Sequence, residues 1–182
     1  MRRVLAIILA ALFAATAVQA GQDDQRLTGL FELLRQTKDP VEASATEGII
    51  WRIWSQSGRD DVDGEMARGV RAMSTGELQA ALGFFNHVVE LAPNLAEGWN
   101  KRATIYYLLE DYDSSVRDVE RTLALEPRHF GALSGLGLIC IALGEDARAI
   151  KAIEGALAVH PHLLSMRDAL EFLKNKTKGR PI

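Results

Sequence analysis

The sequence predicts an all-α protein built as a stack of antiparallel helix hairpins. Pro93, Pro127 and Pro161 follow one another at equal intervals of about 34 residues, and a fixed period of this length is typical of helical repeats. Each interval contains two stretches whose apolar residues recur with the i, i+3, i+4, i+7 spacing of an amphipathic helix. Because one short hairpin cannot bury its apolar side alone, neighbouring hairpins must stack.

The composition excludes several classes of protein. The 182 residues are 48% hydrophobic, which is enough for a packed core and excludes a wholly disordered chain. A net charge of −3 argues against a nucleic-acid binder. The lone Cys140 excludes an internal disulfide framework, and its apolar neighbours predict a buried side chain. The sequence shows no nucleophile–base pair, no phosphate-binding glycine loop and no converging metal ligands. We therefore predict no enzyme, no metal and no cofactor.

Residues 1–20 have the pattern of a secretory signal peptide. Arg2 and Arg3 precede an uncharged apolar run that ends in small residues before Ala20, so that cleavage is predicted after Ala20. The mature chain would then lie in the periplasm with a charge of about −5, because residues 1–20 hold two Arg and no acidic residue. The alternative is an uncleaved membrane anchor, although this run is at the short end of what spans a bilayer.

Residues 21–61 predict a helical hairpin. Gln25–Thr37 has apolar residues on one face, and Asp39 with the proline after it is typical of a helix start. The second helix contains Ala45 and Ile49 at the spacing of the later blocks. We interpret this segment as a degenerate repeat that packs at the N-terminal end of the stack. The alternative is an irregular helical extension.

Three consecutive blocks of equal length follow, at 62–95, 96–129 and 130–163. Small residues recur twice in each block, at positions where two helices of a hairpin must approach closely. The two series are Gly69, Ala103 and Gly137, then Ala81, Ser115 and Ala149. Residues 164–176 predict a last helix with a polar outer face that caps the stack. Residues 177–182 are expected to form a flexible tail.

The blocks resemble the tetratricopeptide repeat, whose pattern is W-x2-L-G-x2-Y, then A-x3-F, then P. The matching residues are Gly69, Ala81, Phe85 and Pro93 in the first block, Trp99, Tyr106, Tyr112 and Pro127 in the second, and Gly137, Ala149 and Pro161 in the third. The whole chain is similar to small secreted tetratricopeptide proteins of Gram-negative bacteria. The resemblance implies a right-handed superhelix whose concave groove, lined by the first helix of each pair, binds a peptide segment or helix of a partner.

Helical spacing away from the hairpin contacts predicts which residues face this groove. They are Met66, Val70, Met73, Asn100, Thr104, Tyr107, Ser134, Leu138 and Ile141. Asn100 could bond an extended partner backbone with both its donor and its acceptor. Alternatively, several of these residues, above all the aliphatic ones on the first and third blocks, pack against the neighbouring hairpin. The Lys, Arg and Asn clamp of chaperone-tail binders is missing, which disfavours capture of a terminal carboxylate.

Two further groups of residues have competing interpretations. Trp51 and Trp54 lie on one face of their helix, which either packs onto the first block or forms a second surface for a partner or for self-association. His129, His160 and His162 follow or flank the repeat prolines. We expect these histidines to be exposed turn residues and not metal ligands.

The resemblance implies a non-catalytic protein–protein interaction adaptor or scaffold, which the signal pattern places in the bacterial envelope. Its partner would be a protein or peptide, and neither a nucleic acid nor, after signal cleavage, a membrane. Two alternatives stay open. One is an assembly factor of the c-type cytochrome maturation type, and the other is a cell-wall or division coordinator that oligomerises through its N-terminal helices.

Overall fold

The computed structural model describes residues 21–179 and shows helices and no strands within that range. The predicted signal peptide and residues 180–182 of the predicted tail lie outside the described residues. A short 3-10 turn, Gly21–Asp23, precedes the first α-helix. The α-helices are α1 (Arg26–Gln36), α2 (Pro40–Trp54), α3 (Asp60–Ser74), α4 (Leu78–Leu91), α5 (Ala96–Leu108), α6 (Tyr112–Leu125), α7 (Phe130–Ala142), α8 (Asp146–Val159) and α9 (Leu164–Lys178).

The proline period fixes where the helices of the stack begin. We call α3, α5, α7 and α9 the A helices, and α4, α6 and α8 the B helices. The last three A helices begin at Ala96, Phe130 and Leu164, which are separated from one another by one full period, and the B helices keep the same spacing. From α3 to α9 every helix packs on the next. The predicted all-α stack of antiparallel hairpins is confirmed.

Glycine allows the closest approaches inside the hairpins. A Cβ atom placed on Gly69 would lie 2.5 Å from the ring of Phe85, and one on Gly137 would lie 2.6 Å from Ile153. Both B-helix side chains are fully buried, so they pack directly on the backbone of the A helix. The small residues that recur in the sequence therefore have the packing role that was predicted for them. Cys140 is also buried, as predicted.

The turn between α5 and α6 holds an unusual residue. Gly76 and Gly144 follow α3 and α7 with φ angles of 79° and 73°, whereas the equivalent Glu110 takes φ 61°. This left-handed conformation suits glycine, while a residue with a Cβ adopts it at a cost of about 1–2 kcal/mol. Glu110 is thus held in a strained conformation at a position where glycine would serve.

Glu110→Gly is expected to raise the free energy of unfolding by about 0.5–1 kcal/mol, because relief of the strain outweighs the greater chain entropy of glycine. Urea denaturation of the mature chain measures the change. Gly144→Ala is the matched control and should lower the same quantity, since it introduces at α7 the strain that Glu110 carries at α5. Equal stability of Glu110→Gly and the parent would show that the turn is not strained.

The N-terminal hairpin does not continue the stack. Although both helices are fully described, α2 and α3 do not pack side by side, whereas α1 contacts α8 and the 3-10 turn contacts α5. Leu27, Phe31, Ile50 and Trp54 instead form a core with Phe130, the first residue of α7. The predicted position at the N-terminal end is therefore wrong. These apolar side chains cover the edge of the stack where the B-to-A turns lie.

The last helix also differs from the prediction. α9 continues through Lys178, so that residues 177 and 178 are helical and not part of a tail. Its exposed side carries the polar residues Arg167, Asp168, Glu171 and Lys174, as predicted, but also the apolar Leu164 and Phe172, which are 66% and 68% exposed. A helix that only capped the stack would cover its end with polar side chains. Among residues 21–179, none of the helices combines the length and the apolar character needed to cross a membrane.

Candidate functional site

The A helices present three rows of residues on one side of the stack, which we call the groove floor. Within each helix the rows are related by the i, i+4, i+7 spacing of one helical face, and between helices by the repeat period. The first row is Met66, Asn100, Ser134 and Asp168, the second is Val70, Thr104, Leu138 and Phe172, and the third is Met73, Tyr107, Ile141 and Asn175.

A cavity of about 190 Å³ opens in the groove floor between α5 and α7. It exists because Gly135 has no side chain, and a Cβ atom there would meet nothing within 4 Å. Ser134 Oγ is buried and has no hydrogen-bond partner in the part of the chain that the structure describes. The predicted groove residues that line this cavity are Asn100, Thr104, Tyr107, Ser134 and Leu138.

The other predicted groove residues lie elsewhere. Met66 and Val70 line a separate, wider depression on α3, next to Arg71, and Met66 is only 3% exposed. Met73 packs against the core of the α3–α4 hairpin. Ile141 is half-exposed at the end of α7. The structure therefore brings five of the nine predicted residues to one cavity, whereas Met66 and Met73 pack in the core of the α3–α4 hairpin, as the alternative interpretation expects.

Asn100 belongs to a buried polar cluster at the end of the cavity. Its Nδ2 donates to Glu97 Oε2 at 2.8 Å, and His129 Nε2 lies 3.0 Å from the same oxygen. Lys101 Nζ is 3.0 Å from Glu97 Oε1, as an ion pair and not as an aligned hydrogen bond. One of the two N–H donors of the Asn100 amide is thus used inside the protein, and bonding of a partner through the other donor and the carbonyl oxygen stays a prediction.

Glu97 is charged although it is buried. Burial alone would raise its pKa, but the Lys101 ammonium and the hydrogen bond from His129 outweigh burial and hold the pKa below its usual value. His129 Nδ1 accepts the backbone N–H of Ala132 at 3.1 Å and so caps α7. Because Nδ1 is an acceptor, the ring proton sits on Nε2 and is donated to Glu97.

The N-terminal hairpin packs two tryptophans on the start of α7, beside this polar cluster. Trp54 is 1% exposed and stacks on the ring of His129, with 4.0 Å between the centroids. Trp51 meets Phe130 edge to face at 5.2 Å, and a Cβ atom on Gly131, which lines the cavity, would lie 2.4 Å from its ring. The prediction that the two tryptophans pack onto the first block is therefore wrong, because both side chains pack on α7. A second partner surface is also wrong for the buried Trp54.

The buried histidines overturn the expectation of exposed turns. His129 and His160 are 0% and 1% exposed. Burial lowers the pKa of His160, whose Nε2 lies 3.2 Å from Glu47 without the alignment of a hydrogen bond. The alignment of the repeats indicated that His129 is buried, because the residues at the same position in the other two blocks are the apolar Leu95 and Leu163. Within residues 21–179, no group of three or more His, Cys, Asp or Glu side chains is placed to hold a metal ion.

Sequence reasoning missed Phe172 as a groove residue. It lies one repeat period after Leu138 and therefore takes the same position on α9 as Leu138 takes on α7. Extending the alignment by one more block would have found it. Glu97 was also missed, because a carboxylate in the first turn of a helix is usually an exposed residue.

The fold and the groove floor define a helical-repeat protein with a cavity on one side of the stack, and comparison with known proteins agrees. Residues 100–162 match the model of the tetratricopeptide repeat. A TPR repeat-containing protein of Rhizobium etli is 36% identical over 155 residues, which are 85% of this chain and 76% of that protein. The chain belongs to the tetratricopeptide-repeat family.

Similarity extends to proteins of very different size. The Hsp70-Hsp90 organizing protein of Triticum aestivum is 29% identical over 119 residues, but the match spans only 20% of that protein and 65% of this chain. The first TPR of Spaghetti (RPAP3) bound to HSP90 peptide SRMEEVD superposes with a TM-score of 0.62 at 19% identity, over 65% of this chain and 94% of that one. MamA gives a TM-score of 0.61 at 18% identity, over 78% and 86%. The two structures share the fold.

Proposed function

We propose that this protein is a non-catalytic adaptor that binds a segment of a partner protein in the groove floor. The observation that carries the proposal is the cavity between α5 and α7, where Tyr107 and Leu138 surround open space and Ser134 Oγ lacks a partner among the described residues. Tyrosine and leucine provide contact area for an apolar side chain, and the serine hydroxyl can bond a polar group beside it. Tetratricopeptide domains generally mediate protein–protein interactions, and the matched RPAP3 domain is bound to a peptide.

The chemistry of the groove floor indicates what kind of segment would bind. Asp168 is the only charged residue in the three rows, and the rows contain neither lysine nor arginine. A chain-terminal carboxylate would have no cation to pair with there. An internal segment that inserts an apolar side chain between α5 and α7 is the better fit.

We place the adaptor in the bacterial envelope because residues 1–20 have the pattern of a secretory signal. In this proposal the mature protein begins at Gly21, and Gln22 is then its second residue. The Gln22 side chain bonds the Asn94 carbonyl at 2.7 Å and the Ala96 N–H at 3.1 Å. Cleavage after Ala20 would leave this contact with the start of α5 intact.

Gly135→Leu is expected to block the cavity and to weaken peptide binding at least about tenfold, because the new side chain fills the space that the partner would use. The fold should be unharmed, since the position is open and leucine favours the helix over glycine. The probe is a set of peptides selected on the parent protein from a random display library, with affinities measured by fluorescence anisotropy.

Gly83→Leu is the matched control. Gly83 lies within the B helix α4, it is not fully buried, and a Cβ atom there also meets nothing within 4 Å. This variant should keep the affinity of the parent. If Gly135→Leu bound the selected peptides as tightly as Gly83→Leu, the cavity would not be the binding site.

A further inference from the structure

The strained Glu110 lies at the edge of the groove floor. Its backbone N–H donates to the carbonyl of Tyr107 at 3.0 Å, and Tyr107 lines the cavity. Glu110 lies three residues after Tyr107, directly behind the C-cap residue of α5. The Glu110 carboxylate is exposed and has no hydrogen bond or ion pair within residues 21–179. The chain thus keeps a free negative charge beside the cavity, at a position where glycine would relieve strain.

The same edge holds a carboxylate in every repeat, although that of Glu145 is ion-paired with Arg148. Glu77, Asp111 and Glu145 precede the three B helices and are spaced by one repeat period. Asp111 caps α6 by accepting the N–H of Ser114 at 3.1 Å, and the hydrogen bond holds its pKa below the usual value, so that it is charged at neutral pH. Glu110 and Asp111 together place two adjacent charges next to Tyr107.

Exposed apolar side chains accompany these charges. Leu108 and Leu143 are 48% and 47% exposed, and Ile141 of the third row is 38% exposed. The first lies at the end of α5, and the other two lie at the end of α7. The edge therefore combines apolar surface with negative charge, which is the complement of a segment that carries apolar and basic side chains together.

We propose that this edge, Glu110 and Asp111 above all, recognises a lysine or arginine of the partner segment while an apolar side chain of the same segment fills the cavity. The inference rests on the proposed function of the groove. It commits to a basic amphipathic protein segment as the occupant, because Glu110 has no counter-ion within residues 21–179 and exposed apolar side chains lie beside it. Because the Glu110 backbone bonds directly to that of Tyr107, we expect the basic residue to lie close in sequence to the apolar anchor.

The test selects peptides from a random display library on two proteins, the parent and the double variant Glu110→Gln with Asp111→Asn. Asparagine preserves the cap on α6, and glutamine keeps the size of the side chain at 110. Peptides from the parent should be enriched in Lys or Arg near an apolar residue. Peptides from the double variant should keep the apolar residue and lose the basic enrichment.

Affinity provides the second readout. Parent-selected peptides should bind the double variant about five- to tenfold more weakly, and this difference should shrink at high salt. The matched control is Glu90→Gln with Glu120→Gln, which removes two exposed carboxylates from the B helices and should leave affinity unchanged.

Three results would overturn the inference. If the peptides selected on the parent were not enriched in Lys or Arg, the edge would have no role in recognition. Equal affinities of these peptides for the double variant and for its control would show the same. A concentration-dependent dimer in sedimentation that the double variant abolishes would make a second copy of the chain the occupant. In each case the peptide affinity of Gly135→Leu tests independently whether the cavity is the binding site. A wrong inference about the charges is therefore distinguished from a wrong proposal about the groove.

Discussion

Trp54→Ala is expected to lower the free energy of unfolding by about 3–5 kcal/mol, as other large truncations of buried aromatic residues do. The side chain is 1% exposed, and its ring lies 4.0 Å from His129 and 5.0 Å from Phe130 between centroids. Alanine would leave a cavity where the N-terminal hairpin meets α7, at the centre of the core that joins the two. Urea denaturation followed by circular dichroism measures the loss.

Limited proteolysis shows where the loss occurs. The hairpin α1–α2 should be cut first in the variant, while α3–α9 persists, because the core formed with Phe130 joins the hairpin to the stack. Trp99→Ala is the control, since Trp99 is half-buried and lies on α5 away from that core. A loss no larger than that of Trp99→Ala would show that the hairpin is not held by Trp54.

Glu97→Ala is expected to have a similar effect, again about 3–5 kcal/mol, because it removes the partner of a buried ionic cluster. Glu97 is 1% exposed, and its loss would leave Lys101, His129 and Asn100 without their common acceptor. Trp54 stacks on His129 of this cluster, so the variant should loosen the hairpin as well. Chemical denaturation of the mature chain checks the prediction.

The pH dependence of the stability distinguishes the contribution of the Glu97 charge from that of the packing of its side chain. Since the folded protein holds the pKa of Glu97 below its usual value, the carboxylate stabilises the fold above the unfolded pKa of about 4.3. This contribution is lost as the pH falls through the lower, folded pKa. The stability difference between the parent and Glu97→Gln should therefore be full at pH 7 and should shrink below about pH 4. A difference that does not change with pH would show that the charge plays no part.

The repeat could be predicted from the sequence because the contacts that define it are local and periodic. Pro93, Pro127 and Pro161 lie just after the B helices, and Gly69 and Gly137 lie where Phe85 and Ile153 pack against them. Residues within a single repeat determine each of these contacts, so an alignment of the chain with itself is enough to find them.

The packing of the N-terminal hairpin on the B-to-A turns could not be predicted in this way. Trp51 and Trp54 are far from His129 in the sequence, and each has an ordinary local role at a helix end or on an apolar face. Their contact depends on how the hairpin folds back over the B-to-A turns, which no local pattern encodes. For the same reason the sequence suggested exposed histidines where the structure buries them.

The sequence by itself determined the helices, their hairpins and the residues that could face a groove, because helix formation and stacking obey short periodic rules. Only the tertiary structure decided which of those residues share a cavity, that Asn100 donates to Glu97, and that two tryptophans pack on the start of α7. These outcomes depend on contacts between distant segments, whose free energy arises only when the chain is fully packed.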